Sequence, residues 1–173
     1  MTRPTALLFD RPPKPVRALF AAHFTLVETD GQSVPAAARD ARVLLTTGGR
    51  GASAALIEAM PKLEVIGVNG VGYDKVDLAA ARARGIVVSN TPDVLTDDVA
   101  DLAIGLMIAT HRRIAAADQF VRRGDWAAGK PFPLSRRLSG RRLGIVGLGR
   151  IGLAIAARAA PMMLDIAYCA RHR

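Results

Sequence analysis

The sequence predicts an α/β protein carrying two parallel sheets, and three observations predict it. Through the first half of the chain, short apolar runs alternate with helix-like segments, the pattern of strands joined by crossover helices. After Thr91-Pro92 that pattern breaks, and Val94 to Ala109 forms the longest apolar-periodic stretch in the chain. Beyond it, Arg142 to Gly152 reads as a strand, a glycine-rich turn and the start of a helix.

The elements follow in order. Ala6 to Phe9 reads as a strand, Pro15 to Phe24 as a helix and Leu26-Val27 as a second strand. Val43 to Thr46 is a third strand, running into the turn Gly48-Gly49-Arg50-Gly51. Ala54 to Met60 is a helix that Pro61 ends, and Val65 to Val68 is a fourth strand. Leu78 to Arg84 is a helix closed by Gly85, before a fifth strand at Ile86 to Val88. Five strands with crossovers make a flavodoxin-like unit over residues 1–91.

Residues 92–173 read as a second unit. Thr96, Asp97 and Asp98 open the long segment, where an N-cap and negative charge are favourable. Leu102, Leu106 and Ala109 mark one face, with Val99, Ala103 and Met107 beside them. So wide a stripe implies burial on more than one side, by core packing or against a second domain or another subunit. A polar helix to Arg123 follows, then Gly124-Asp125-Trp126, and Gly129 to Ser139 reads as a loop crossing between domains.

Length and composition narrow the function classes. With 173 residues, half of them apolar, the chain can build a sizeable core. The formal charge is +9, carried mostly by arginine. Two clusters stand out, Arg136-Arg137 with Arg141-Arg142 and the final Arg171-His172-Arg173. Few aromatics lie between them to stack on bases, so anionic small molecules are simpler partners than nucleic acid. Both clusters are expected to flank a phosphate site. Cys169, the only cysteine, reads as a buried, inert thiol, leaving neither a disulfide framework nor a metal cluster. Ala6 to Phe9 is too short for a signal-peptide core and no stretch approaches a membrane span, so a cytoplasmic location without a membrane partner is expected.

The phosphate site is the glycine turn. Gly147, Gly149 and Gly152 stand in the spacing G-x-G-x-x-G between the strand Leu143 to Val146 and an apolar-periodic helix. In that order Gly147 permits the sharp turn, Gly149 lets a pyrophosphate approach the backbone, and Gly152 lets the helix pack close. The free amides of the helix's first turn would face the phosphates. A free ribose 2′-hydroxyl is usually held by a carboxylate about twenty residues further on, at the end of the second strand. Here that strand, Ile166 to Cys169, is followed by Ala170-Arg171-His172-Arg173, and Asp165 sits at its wrong end. Arg171 and Arg173 would suit a 2′-phosphate, which favours NADP(H) over NAD(H). A solvated basic strand end is the other reading of those residues.

A second loop, Asn69-Gly70-Val71-Gly72-Tyr73-Asp74, follows the fourth strand at its carboxyl end, where ligands of such sheets bind. Its glycines could present backbone amides to a carboxylate; Asn-Gly equally suits a plain turn. The local residues leave both readings open.

Four stretches in this order carry a resemblance: Asn69 to Asp74, Asn90 to Asp101, Gly124-Asp125-Trp126, and Leu143 to Gly152. Together they resemble the D-isomer-specific 2-hydroxyacid dehydrogenase family, and within it the glyoxylate/hydroxypyruvate reductase branch. The resemblance implies a substrate domain over 1–91, then a long interdomain helix and the first part of a Rossmann NAD(P)-binding domain. It implies reduction of a small 2-keto acid to a D-2-hydroxy acid by NAD(P)H. Val71 and Gly72 would receive the substrate carboxylate, Leu148, Arg150 and Ile151 would touch the pyrophosphate, and Thr96 and Val99 would lie near the nicotinamide. The strand end at Arg171, His172 and Arg173 would choose the cofactor. The long helix would join a homodimer.

The resemblance also departs in one respect. The family's catalytic Arg, Glu and His are expected beyond residue 173, and none of His23, His111 and His172 matches the place of that His. The expectation is an amino-terminal part of such an enzyme with an incomplete Rossmann domain, inactive alone. A non-catalytic dinucleotide-binding or oligomerising partner protein is the alternative.

Overall fold

The computed structural model describes residues 3–9, 11–31 and 33–171. It divides into two compact units, Met1–Pro92 and Asp93–Arg173.

The first unit carries β1 (Thr5–Leu8), α1 (Lys14–His23), β2 (Thr25–Glu28), β3 (Val43–Thr47), α2 (Ala54–Glu58), β4 (Val65–Asn69), α3 (Leu78–Ala83) and β5 (Val87–Ser89). All five strands are parallel, in the order β2-β1-β3-β4-β5. That is the flavodoxin-like arrangement. The interior strands need no polar face because helices cover them, so they read as continuous apolar runs. Register sets Leu7 beside Leu44 and Leu44 beside Ile66, and all three are fully buried. Leu56, Ile57 and Met60 close over them from the α2 side, with Ala81 of α3 and Ile86.

Local signals fix the helix ends. The Ser53 hydroxyl accepts from the Leu56 amide at the start of α2, and the Asp77 carboxylate from the Ala80 amide at the start of α3. Helix α2 ends two residues before the sequence suggests. The Arg84 guanidinium takes up the carbonyls of Ile57, Met60 and Pro61, replacing the last turn with a side-chain cap.

The second unit carries α4 (Thr96–His111), α5 (Ile114–Arg122), β6 (Arg142–Val146), α6 (Arg150–Ala159) and β7 (Asp165–Cys169). Strands β6 and β7 pair in parallel, from Arg142 beside Asp165 to Val146 beside Cys169. Helix α4 lies against α6, and Arg158 of α6 reaches both Asp97 at 2.8 Å and Asp101 at 2.5 Å.

Several expectations change here. Helix α4 starts without a side-chain cap, since Leu95 occupies the N-cap position and Asp97 is engaged by Arg158 instead. Along α4, Ala100 is enclosed while Leu102 and Leu106 stay 62% and 57% exposed, so the burial expected on a second side is not met within the chain itself. Cys169 is exposed, because β7 pairs only with β6 among the described residues and nothing covers that end of the strand. Residues 129–139 do not cross away from the unit. Lys130 pairs with Asp125, Phe132 packs on buried Phe120 with ring centroids 5.0 Å apart, and the Arg136 amide donates to the His111 carbonyl.

Candidate functional site

Two sites take shape, one in each unit, and each lies at the carboxyl edge of its sheet.

In the second unit, β6 runs into the glycine turn. The Gly147 amide still follows the ladder, donating to the Cys169 carbonyl at 2.8 Å, and φ of +93° then reverses the chain. A Cβ on Gly152 would collide with the Gly147 carbonyl oxygen and sit 3.4 Å from the Ile145 side chain. The third glycine is therefore what lets α6 close on the turn. A Cβ on Gly149 would meet nothing within 4 Å, so the space over it is open. The amides of Leu148, Gly149, Arg150 and Ile151 have no acceptor among the described residues. They stand at the positive end of the α6 dipole, a seat for an anion made from backbone.

A cleft of about 540 Å³ opens there, lined by Val146, Gly147, Leu148, Gly149, Cys169, Ala170 and Arg171. Arg171 follows β7 and has no ion-pair partner among the described residues. Among the described residues no carboxylate lines the cleft. Asp165 stands at the other end of β7, paired with Arg142 at 2.9 Å. His172 and Arg173 lie outside the described residues. Arg150 opens α6, with its Nε 2.9 Å from the Asp93 carboxylate. Thr96 and Val99 lie in the first turn of α4, the helix whose Asp97 is tied to α6. Two carboxylates on Arg158, Asp97 first, hold that guanidinium above its ordinary range.

The basic cluster before β6 is not beside this cleft. Arg136, Arg137, Arg141 and Arg142 precede or start β6, so they belong to its amino edge, and the glycine turn leaves its carboxyl edge. Spacing along the chain, without the direction of the strand, suggested otherwise.

In the first unit, the loop after β4 stacks on the turn after β3. A Cβ on Gly48 would collide with the Gly72 carbonyl, so the two segments touch through backbone. Buried Thr46 donates to the Gly51 carbonyl at 2.7 Å, and Lys75 donates to the Gly49 carbonyl at 2.8 Å. Ala52 and Val76 add a parallel bridge. From the other side, Asn90 Nδ2 donates to the Val71 carbonyl at 2.8 Å, and Thr91 exchanges bonds with both backbone groups of Gly70. The Val71 carbonyl and both backbone groups of Gly70 are thus used up, whereas the Val71 and Gly72 amides have no acceptor among the described residues and both residues are exposed. Two adjacent free N–H groups on a braced loop are donors that an anionic oxygen can reach. Asn90 and Thr91 were legible only as part of a motif; their work as braces needed the fold.

Comparison with known proteins converges on one family. The family model described as "D-isomer specific 2-hydroxyacid dehydrogenase, catalytic domain" matches residues 6–168. Hydroxyphenylpyruvate reductase of Plectranthus scutellarioides is 52% identical over 136 residues, covering 79% of this chain and 43% of that protein. A glyoxylate/hydroxypyruvate reductase of Arabidopsis thaliana is 47% identical, covering 84% of this chain and 44% of that protein. Among solved structures, an NADPH-dependent glyoxylate/hydroxypyruvate reductase from Sinorhizobium meliloti, in complex with NADP and malonate, superposes with a TM-score of 0.90. Its sequence is 42% identical, over 99% of this chain and 55% of that one. The chain spans about half the length of the relatives it matches. With the parallel sheet, the glycine turn and a family match over nearly the whole length all in agreement, this chain belongs to the D-isomer-specific 2-hydroxyacid dehydrogenase family.

Proposed function

We propose that residues 1–91 hold the carboxylate of a small 2-keto acid, of the glyoxylate or hydroxypyruvate type, and that residues 92–173 hold the phosphates of NADPH. The product would be the D-2-hydroxy acid. The observation that carries this reading is the pair of backbone receptors, Val71-Gly72 and Leu148 to Ile151, each with unsatisfied amides at the carboxyl edge of a parallel sheet. The cofactor, when bound, supplies the reducing equivalent. The chain's own residues bind and orient.

Arg171, which among the described residues is unpaired and lines a cleft without a carboxylate, supports NADP(H) over NAD(H). A 2′-phosphate would gain charge-assisted bonds there, whereas a 2′-hydroxyl would find no carboxylate to accept from it. Thr96 and Val99 are assigned to the nicotinamide side. The exposed Leu102 and Leu106 of α4 support a homodimer. A lone cysteine and the want of any helix long and apolar enough to cross a membrane, among the described residues, fit a cytoplasmic setting.

Reduction of a ketone also needs a proton donor within hydrogen-bond reach and a cation for the developing oxyanion. Among the described histidines, His23 ends α1 at the amino edge of its sheet, and His111 folds back on the Met107 carbonyl at 3.2 Å. Neither adjoins a receptor loop of its own unit. The 173-residue protein is therefore proposed to bind NADPH without turning over. The test follows NADPH oxidation by the purified protein with glyoxylate and with hydroxypyruvate. NADPH binding without turnover fits the proposal; turnover well above background refutes the assignment of the missing donor.

A further inference from the structure

The arginines that precede β6 are unexplained by the phosphate site, and the fold brings them to a second cluster. The Arg136 amide donates to the His111 carbonyl at 3.1 Å, which sets Arg136-Arg137 against His111-Arg112-Arg113. A cleft of about 510 Å³ opens between them, lined by Thr110, His111, Arg113, Leu134, Ser135 and Arg136. None of the guanidinium groups of Arg112, Arg113, Arg136 and Arg137 has an ion-pair partner among the described residues. Elsewhere in the same unit six carboxylates are taken: Asp93 by Arg150, Asp97 and Asp101 by Arg158, Asp118 by Arg122, Asp125 by Arg123 and Lys130, and Asp165 by Arg142, while Asp98, unpaired among the described residues, stands in the first turn of α4, at the helix's other end. Four like charges gathered without a counterion repel one another, and an anion seated among them relieves that repulsion.

We propose that this cleft is a binding site for a small, multiply charged phosphate compound, separate from the dinucleotide seat. Its size suits a small molecule, and its lining residues include two arginines, Arg113 and Arg136, with Thr110 and Ser135 beside them. The negative end of the α4 dipole points here and opposes an anion. That opposition is reduced because the carbonyls of Ile108, Thr110 and His111 are already occupied by the amides of Arg112, Arg113 and Arg136. Nucleic acid is the less suitable occupant. Among the described residues the only apolar side chain in the lining is Leu134, and no Phe, Tyr or Trp is there to stack on a base, the one ring being the imidazole of His111.

The test titrates the 173-residue protein with inorganic pyrophosphate at physiological salt, by calorimetry and by amide NMR. Shifts are expected at residues 110–113 and 134–136, as a set that saturates independently of any shifts at 148–151. Replacing the two lining cations together, Arg113→Gln with Arg136→Gln, is expected to weaken the first set at least tenfold. The flanking pair Arg112→Gln with Arg137→Gln, which keeps the lining intact, is expected to change it less than threefold. Should the lining variant fail to fold, the shift map of the unaltered protein decides. Shifts confined to 148–151, or equal losses from the two variants, would overturn the proposal. So would tighter binding of a random DNA 12-mer at the same residues. NADPH binding is scored separately at 148–151, so failure of the dinucleotide reading would leave this result standing.

Discussion

Alanine at Gly149 and alanine at Gly152 should fail in different ways, because the structure gives the two glycines different reasons to be glycine. At Gly152 the added Cβ runs into the Gly147 carbonyl and presses toward Ile145, so α6 must move off the turn. Overpacking of that kind costs about 1–3 kcal/mol, and the displaced helix carries the anion-binding amides with it. Gly152→Ala should therefore lower the urea midpoint of the second unit and weaken NADPH binding together. At Gly149 the Cβ enters open space, and φ of −80° is ordinary for any residue. Gly149→Ala should leave the midpoint unchanged, yet place a methyl group where a pyrophosphate would approach. Losing one amide–phosphate bond costs about 1.5–3 kcal/mol, roughly ten- to a hundredfold in affinity. The assay is paired, with chemical denaturation followed by tryptophan fluorescence, Trp126 being the only one in the chain, and NADPH titration on the same samples. Unaltered NADPH affinity in Gly149→Ala would refute the placement of the phosphates over that turn.

Three further outcomes follow from the same geometry. Arg171→Gln should weaken NADPH much more than NADH in parallel titrations, since Arg171 lines the cleft without a partner; equal losses would remove it from the 2′-phosphate. Asn90→Ala should free the Val71 carbonyl and loosen the loop, costing about 0.5–1.5 kcal/mol of stability and weakening the binding of a small carboxylate such as malonate, read by NMR shifts at Val71 and Gly72. Asp125 is held below its ordinary carboxylate range by Lys130 first and Arg123 second. Its stabilising contribution is full above the unfolded value of about 4 and is lost as pH falls through the depressed folded value. Asp125→Asn should therefore lower the urea midpoint at pH 7 and cost progressively less as the pH drops below about 4, with a pH-independent difference counting against the pairing.

Much of the fold was legible because its elements announce themselves locally. Buried parallel strands such as Val43–Thr47 and Val65–Asn69 are continuous β-branched and leucine-rich runs, and Gly85 marks a helix end by its own chemistry. The glycine turn was legible for the same reason, since its spacing is the mechanism. What escaped notice was non-local. Arg84 capping α2 acts across 23 to 27 residues, Asn90 bracing Val71 across 19, and no window of sequence holds both partners. The arginines before β6 misled because nearness in sequence to Gly147 is not nearness in space when a strand of about 3.3 Å per residue intervenes. Cys169 misled because an apolar strand reads as buried only if something covers it.

The central claim, that this chain seats a dinucleotide and prefers the phosphorylated one, is tested most directly by titrating the 173-residue protein with NADPH and NADH under identical salt. The account predicts saturable binding of both, with amide shifts at Leu148 to Ile151 and NADPH the tighter of the two. Absence of binding by either, or NADH binding as tightly as NADPH, would contradict it.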